Sequence, residues 1–130
     1  MINNKIYQRI FDEISQYLIS GWEKLIAYFE YGQASYSFEF FEYVDGKYIK
    51  CFEIPEIDED ELLSSFETLN GIIEPERNKL KKKWSNMTFV VDSKGKMKTD
   101  FDYTDLSESS YEFKKAWKQK YMPERTNNNK

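Results

Sequence analysis

Two aromatic-rich runs meet at Asp45-Gly46, and that dipeptide constrains the fold more than any other feature of the chain. Asp-Gly accommodates the positive φ that a type I′ turn needs at both central positions, and such turns join antiparallel strands. Upstream, residues 35–43 alternate. Tyr36, Phe38 and Phe40 fall on one face and Ser35, Ser37 and Glu39 on the other, while Phe41 and Tyr43 put aromatics on the second face as well. Downstream, residues 47–52 (KYIKCF) return as a strand. Residues 22–31 (WEKLIAYFEY) read as a strand before it, with Gly32 and Gln33 in the turn, so the region reads as an antiparallel meander.

The flanking segments change period. Ile6, Tyr7, Ile10, Phe11, Ile14, Tyr17 and Leu18 recur at helical spacing and predict an amphipathic helix over 4–20, capped by Asn3 or Asn4 and stopped at Gly21. Pro55 ends the strand region. Asp58 to Asp60 cap a helix whose stripe is Leu62, Leu63, Phe66 and Leu69, with Gly71 as its stop. Glu74-Pro75 opens another short helix through Lys83. Residues 86–92 and 96–103 form a second hairpin about Ser93-Lys94-Gly95. A final helix over 109–121 has Ser109 and Glu112 at capping-box spacing. The expectation is an α+β domain over residues 1–123: an antiparallel sheet of about five strands with N-terminal, middle and C-terminal helices packed on it. Residues 124–130 read as a polar, disordered tail.

Composition removes whole classes of chemistry. A chain of 130 residues is one domain. It has no His, which excludes Ser-His-Asp and Cys-His nucleophilic sites and His-ligated zinc. A single cysteine, Cys51, allows no disulfide framework and no cysteine-based zinc site, and a reducing cytoplasm fits it best. No stretch approaches the apolar length of a membrane span. No Gly-rich phosphate loop and no nucleophile elbow is present, and no pattern calls for a cofactor.

The remaining candidates each have a plainer reading. Asp100 and Asp102 share a strand face about 6–7 Å apart, a spacing that could suit a divalent ion or a glycosidase-like pair. The plainer reading is a solvated face balanced by Lys98. Cys51 fits a small core or edge residue better than a reactive thiol. Trp22, Trp84 and Trp117 fit core packing better than a ligand pocket. Lys81 to Lys83 fit a helix C-terminus, where cations complement the dipole.

Charge is uneven along the chain. Residues 1–76 carry 5 Lys+Arg against 16 Asp+Glu, whereas residues 77–130 carry 14 against 7, giving halves of −11 and +7. The acid concentrates from Glu53 to Glu61. A surface polarised in this way steers a charged partner, and it disfavours direct binding to nucleic acid.

The sequence of segments resembles a known family. Ile6-Tyr7-x-x-Ile10 is followed by Trp22 opening an aromatic strand, Ser37-Phe38-x-Phe40 and the Asp45-Gly46 hairpin. After an acidic helix come Lys83-Trp84, then Phe89-Val90-Val91-Asp92-Ser93-x-Gly95-Lys96, Asp100-Phe101-Asp102-Tyr103-x-Asp105-Leu106 and Trp117-Lys118. This pattern, from about Ile2 to Met122, resembles the YezG-like family of bacterial immunity proteins, which includes EsaG-like antitoxins. Its most specific piece is the hairpin from Asp92 to Leu106. The resemblance implies a non-enzymatic antitoxin that binds a secreted polymorphic toxin, in this family often the nuclease domain of a type VII-secreted protein, and keeps it inactive in the producing cell.

Charge and exposure then nominate the contacts. Asp58, Glu59, Asp60 and Glu61 form one acidic cluster and Asp100 and Asp102 a second, both suited to the basic substrate groove of a nuclease. Tyr43 and Tyr48, flanking the Asp45-Gly46 turn, are candidate aromatic anchors. The rival reading is a small-ligand module with an aromatic pocket between sheet and helices. A metal-dependent hydrolase on Asp100 and Asp102 is a third.

Overall fold

The computed structural model describes residues 4–108 and 110–123. Three helices and five strands follow in the order α1 (Asn4–Ser15), β1 (Lys24–Tyr31), β2 (Tyr36–Val44), β3 (Lys47–Lys50), a 3₁₀ turn (Cys51–Glu53), α2 (Glu59–Asn78), β4 (Asn86–Asp92), β5 (Met97–Asp102) and α3 (Ser110–Tyr121). All strand pairs are antiparallel, in the spatial order β3-β2-β1-β4-β5. The expected α+β architecture is therefore present. Ser109 and the tail 124–130 lie outside the described residues, as does Asn3.

Both hairpins turn where the sequence places them. Asp45 and Gly46 have φ of 53° and 77°, and Val44 pairs with Lys47 across the two-residue loop. In the second hairpin Gly95 has φ 90°, and the Asp92 carboxylate accepts from the N–H groups of Lys94 and Lys96 at 2.9 and 3.0 Å. That carboxylate fixes the turn in the way Asp side chains do in Asx motifs.

Several boundaries differ from the sequence expectation. α1 ends at Ser15 and not at residue 20, because the Ser15 hydroxyl and Gln16 amide donate to the carbonyls of Asp12 and Glu13 and compete with the next turn. β3 ends at Lys50, where the Glu53 carboxylate accepts from Lys50 N–H and the chain winds into the 3₁₀ turn. The two middle helices are one. Gly71 and Pro75 both lie inside α2, since Ile72 and Ile73 continue the buried stripe of Leu62, Phe66 and Leu69 and packing outweighs the local helix breakers. Proline cannot bond to the carbonyl four residues back, and Gly71 is exposed, so its freed carbonyl meets solvent. Consequently Lys81 to Lys83 follow the helix rather than form its end, and Arg77 occupies the last turn.

The sheet is covered on both faces. Leu25, Ala27, Phe29, Phe38, Phe40, Met87, Phe89 and Val91 point to one face and pack with Ile10, Ile14, Leu62, Phe66, Leu69 and Ile73 of α1 and α2. Ile26, Tyr28 and Phe41 point to the other and pack with Trp117 and Met122, in and just beyond α3. Trp84 is buried with the first group, as core packing required. The Arg77 side chain closes that end of the core: its Nε donates to the Trp84 carbonyl at 2.8 Å, and the guanidinium lies 4.7 Å from the Tyr31 ring centre.

Candidate partner-binding surface

α2 turns the charge asymmetry of the sequence into a spatial one. Its 20 residues span about 30 Å, with Glu59, Asp60 and Glu61 in the first turn and Arg77 in the last. Asp58 is the N-cap, its carboxylate accepting from Asp60 N–H at 3.0 Å. Carboxylates here are stabilised by the helix dipole, so the fold itself favours acid at this end. Asp58 to Glu61 are all exposed, and none of them is in an ion pair among the described residues. Asp58 and Glu61 border a cleft of about 600 Å³ between the segment 16–20 and the segment 54–58. Leu18, Ile19, Ile54 and Ile57 supply its apolar lining, while Glu56, Asp58 and Glu61 supply carboxylates. A long basic side chain with an apolar stem fits that chemistry.

Two exposed apolar residues lie at the same end. Phe52 is 47% exposed and Leu63 is 45% exposed. The sequence reading missed both, assigning Phe52 to β3 and Leu63 to the buried helix stripe. The stripe already held Leu62, Phe66 and Leu69, and Leu63 is turned about 100° away from Leu62. A leucine out of phase with its neighbours was the available signal.

The other nominated residues sit elsewhere. Asp100 and Asp102 lie on the α3 face of the sheet, opposite Thr88 and Asn86 of β4. Asp100 accepts from the Tyr121 hydroxyl at 2.5 Å and has Lys98 Nζ at 4.0 Å. Burial opposes the charge of Asp102, but Thr104 and the Asn86 amide outweigh it and hold its carboxyl below the usual range. These residues border a gap of about 160 Å³ beneath α3, smaller than a typical small-molecule site. Among the described residues no group of three or more Cys, Asp or Glu is arranged to hold a metal ion. Tyr43 and Tyr48 are a cross-strand pair on the α3 face, with ring centres 4.6 Å apart and Lys24 Nζ 5.7 and 5.2 Å from them. Both rings are half-buried. The acidic clusters thus lie on opposite sides of the sheet, and an interface reaching both would have to wrap around it.

The α3 face adds polar contacts to its apolar cluster. Trp117 Nε1 donates to Thr88 Oγ1 at 2.8 Å, and Tyr28 donates to Glu30 at 2.6 Å. Lys114 pairs with Glu39 and lies 4.2 Å from the Tyr28 ring centre. Burial against these rings pulls its ammonium down to about 8. On the α1/α2 face, Glu42 is fully buried. Its Oε1 accepts from Ile19 N–H at 2.7 Å and its Oε2 has no hydrogen-bond partner among the described residues, and burial raises its pKa. Cys51 is fully buried, which pushes its thiol up to about 11 and makes it a core residue, not a nucleophile.

No helix among the described residues is long and apolar enough to cross a membrane. Residues 3–130 match the family model described as immunity protein YezG-like. A curated relative, the immunity protein YezG of Bacillus spizizenii, is 32% identical over 113 residues, covering 78% of this chain and 68% of the relative. The match over nearly the whole sequence and the identity with this relative place the chain: it belongs to the YezG-like immunity protein family.

Proposed function

We propose that the chain is an antitoxin that neutralises a cognate secreted toxin, a nuclease exported by type VII secretion, through stoichiometric binding in the cytoplasm of the producing cell. It performs no chemistry of its own. The observation that carries this reading is the N-terminal end of α2: four exposed carboxylates that form no ion pair among the described residues, next to a cleft lined by apolar side chains and carboxylates. A nuclease groove is basic because it holds phosphates, so its potential complements this end. Charges at the rim set the association rate, while the apolar cleft and the Phe52 and Leu63 side chains supply desolvated contact area.

The test is co-expression with the toxin encoded beside this chain, scored by rescue of growth and by co-purification. Replacing Asp58, Glu59, Asp60 and Glu61 by Lys should slow association by about tenfold or more at low salt and flatten its salt dependence. An unchanged rate and an unchanged salt slope would reject this surface. Failure of the unaltered protein to rescue would reject the antitoxin reading itself.

A further inference from the structure

The two edges of the sheet are finished differently. β5 closes one side with Lys98, Asp100 and Asp102 at alternate positions, charges that discourage a further strand. On the other side, β3 pairs only with Phe41 to Val44 before the chain leaves the sheet at Cys51. Tyr36 to Phe40 of β2 therefore have β1 on one side and, among the described residues, no strand on the other.

The direction of their backbone groups follows from one turn bond. Gly32 N–H donates to the Ser35 carbonyl at 2.9 Å, so Ser35 faces β1. In an antiparallel pair a residue's N–H and C=O point to the same side, and the side alternates along the strand. Ser37 and Glu39 then also face β1, whereas Tyr36 and Phe38 present theirs to the open edge. Beside that edge runs a line of rings. Tyr36 lies 4.7 Å from Phe38, Phe38 lies 6.1 Å from Phe66, and Phe66 lies 6.0 Å from Phe52, measured between ring centres. Tyr36 is 37% exposed, and with Phe52 and Leu63 it leaves an apolar strip open to solvent. Glu53 adjoins Phe52 in the chain, Glu59 and Glu67 lie one helical turn either side of Leu63, and all three carboxylates are exposed.

We propose that this edge receives an extended segment of the partner protein, which pairs with Tyr36 and Phe38 as an added strand. The segment carries Lys or Arg toward the α2 carboxylates and an apolar residue toward Phe52 and Leu63. Unpaired ladder groups supply main-chain affinity and the flanking side chains supply specificity, as in β-augmentation. A second copy of this chain is the other conceivable occupant. Pairing two such edges would bring two sets of carboxylates together, and like charges oppose that. The proposal takes the identity of the partner from the antitoxin reading above.

Tyr36→Pro tests it without breaking the fold. The Tyr36 N–H faces away from β1, so the ring of proline removes a donor from the edge and none from the ladder. Against the toxin domain encoded beside this chain, the variant should bind about tenfold or more weakly with unchanged circular dichroism and melting. In the wild-type complex the amide protons of Tyr36 and Phe38 should exchange at least about tenfold more slowly than in the free protein. Wild-type binding with equal affinity for Tyr36→Pro and unprotected Tyr36 and Phe38 amides would overturn the edge while leaving the antitoxin reading intact. Protection that rises with the concentration of this chain alone would instead assign the edge to a second copy. Absence of any wild-type complex would remove both readings. Should Tyr36→Pro lower the melting temperature, Leu63→Asp, on the exposed side of α2, decides by the same measurements.

Discussion

Under α1 and α2 the sheet offers Leu25, Phe29, Phe40 and Phe89; under α3 it offers Tyr28, Glu39, Thr88 and Asp100. The first interface is held by apolar area, with Tyr7 stacked on Phe89 at 5.8 Å and Phe66 edge-on to Phe40 at 6.5 Å. The second is a smaller apolar cluster of Ile26, Tyr28, Phe41, Trp117 and Met122 to which directed bonds are added: Trp117 to Thr88, Tyr121 to Asp100 and Lys114 to Glu39. Apolar burial scales with area and is indifferent to small rotations, whereas a hydrogen bond fixes one geometry. The first face therefore carries most of the stability. The second sets where a single C-terminal helix sits, and α3 can come away at smaller cost than α1 or α2.

The contrast can be broken at its strongest point first. Phe89→Ala should cost about 3–5 kcal/mol, because it leaves a cavity in a fully buried layer. Far-ultraviolet and near-ultraviolet signals should melt together, at lower temperature. On the other face, Trp117→Phe keeps most of the area and removes the indole donor to Thr88, a loss of about 1–2 kcal/mol. Here amides of α3 should exchange sooner while those of β1 keep their protection; equal loss in both would mean that the two faces unfold as one. A smaller effect of opposite sign is expected at Gly71. No heavy atom stands within 4 Å of a Cβ added there, so Gly71→Ala should stabilise by about 0.5–1 kcal/mol in chemical denaturation. The slightest change is one of slope. Burial raises the pKa of Glu42, so the folded chain keeps a proton that the unfolded chain releases. Stability from this group is thus greatest at acid pH and falls as pH rises from the ordinary carboxylate range through the raised value. Glu42→Gln should flatten that fall, read as urea midpoints from pH about 4 to about 7.

What was legible in the sequence follows the range of the interactions that decide it. The two hairpin turns are decided by Asp45-Gly46 and by Asp92 with Gly95, residues adjacent to the turns they make. The alternation of Tyr36, Phe38 and Phe40 gave the correct face because β2 is regular throughout. The continuity of α2 was hidden, since Gly71 and Pro75 act locally while Ile72 and Ile73 act by packing on a core that only the folded chain assembles. The acidic end of α2 was readable as charge. Its separation from Asp100 and Asp102 was not, because the face of β5 is set by its register with β4. Phe52 and Leu63 were absorbed into apolar patterns whose phase they do not share, and the open edge of β2 follows from the register of β3, which pairs only with Phe41 to Val44.

Cys51 gives the molecule an internal clock. Enclosed in the α1/α2 layer and held as the neutral thiol, it should ignore an alkylating reagent until that layer opens. Undocking of α3 leaves it shielded. The rate of Cys51 modification in native buffer therefore times the loss of one layer alone, and a mass spectrometer can follow it in a protein that needs no added label.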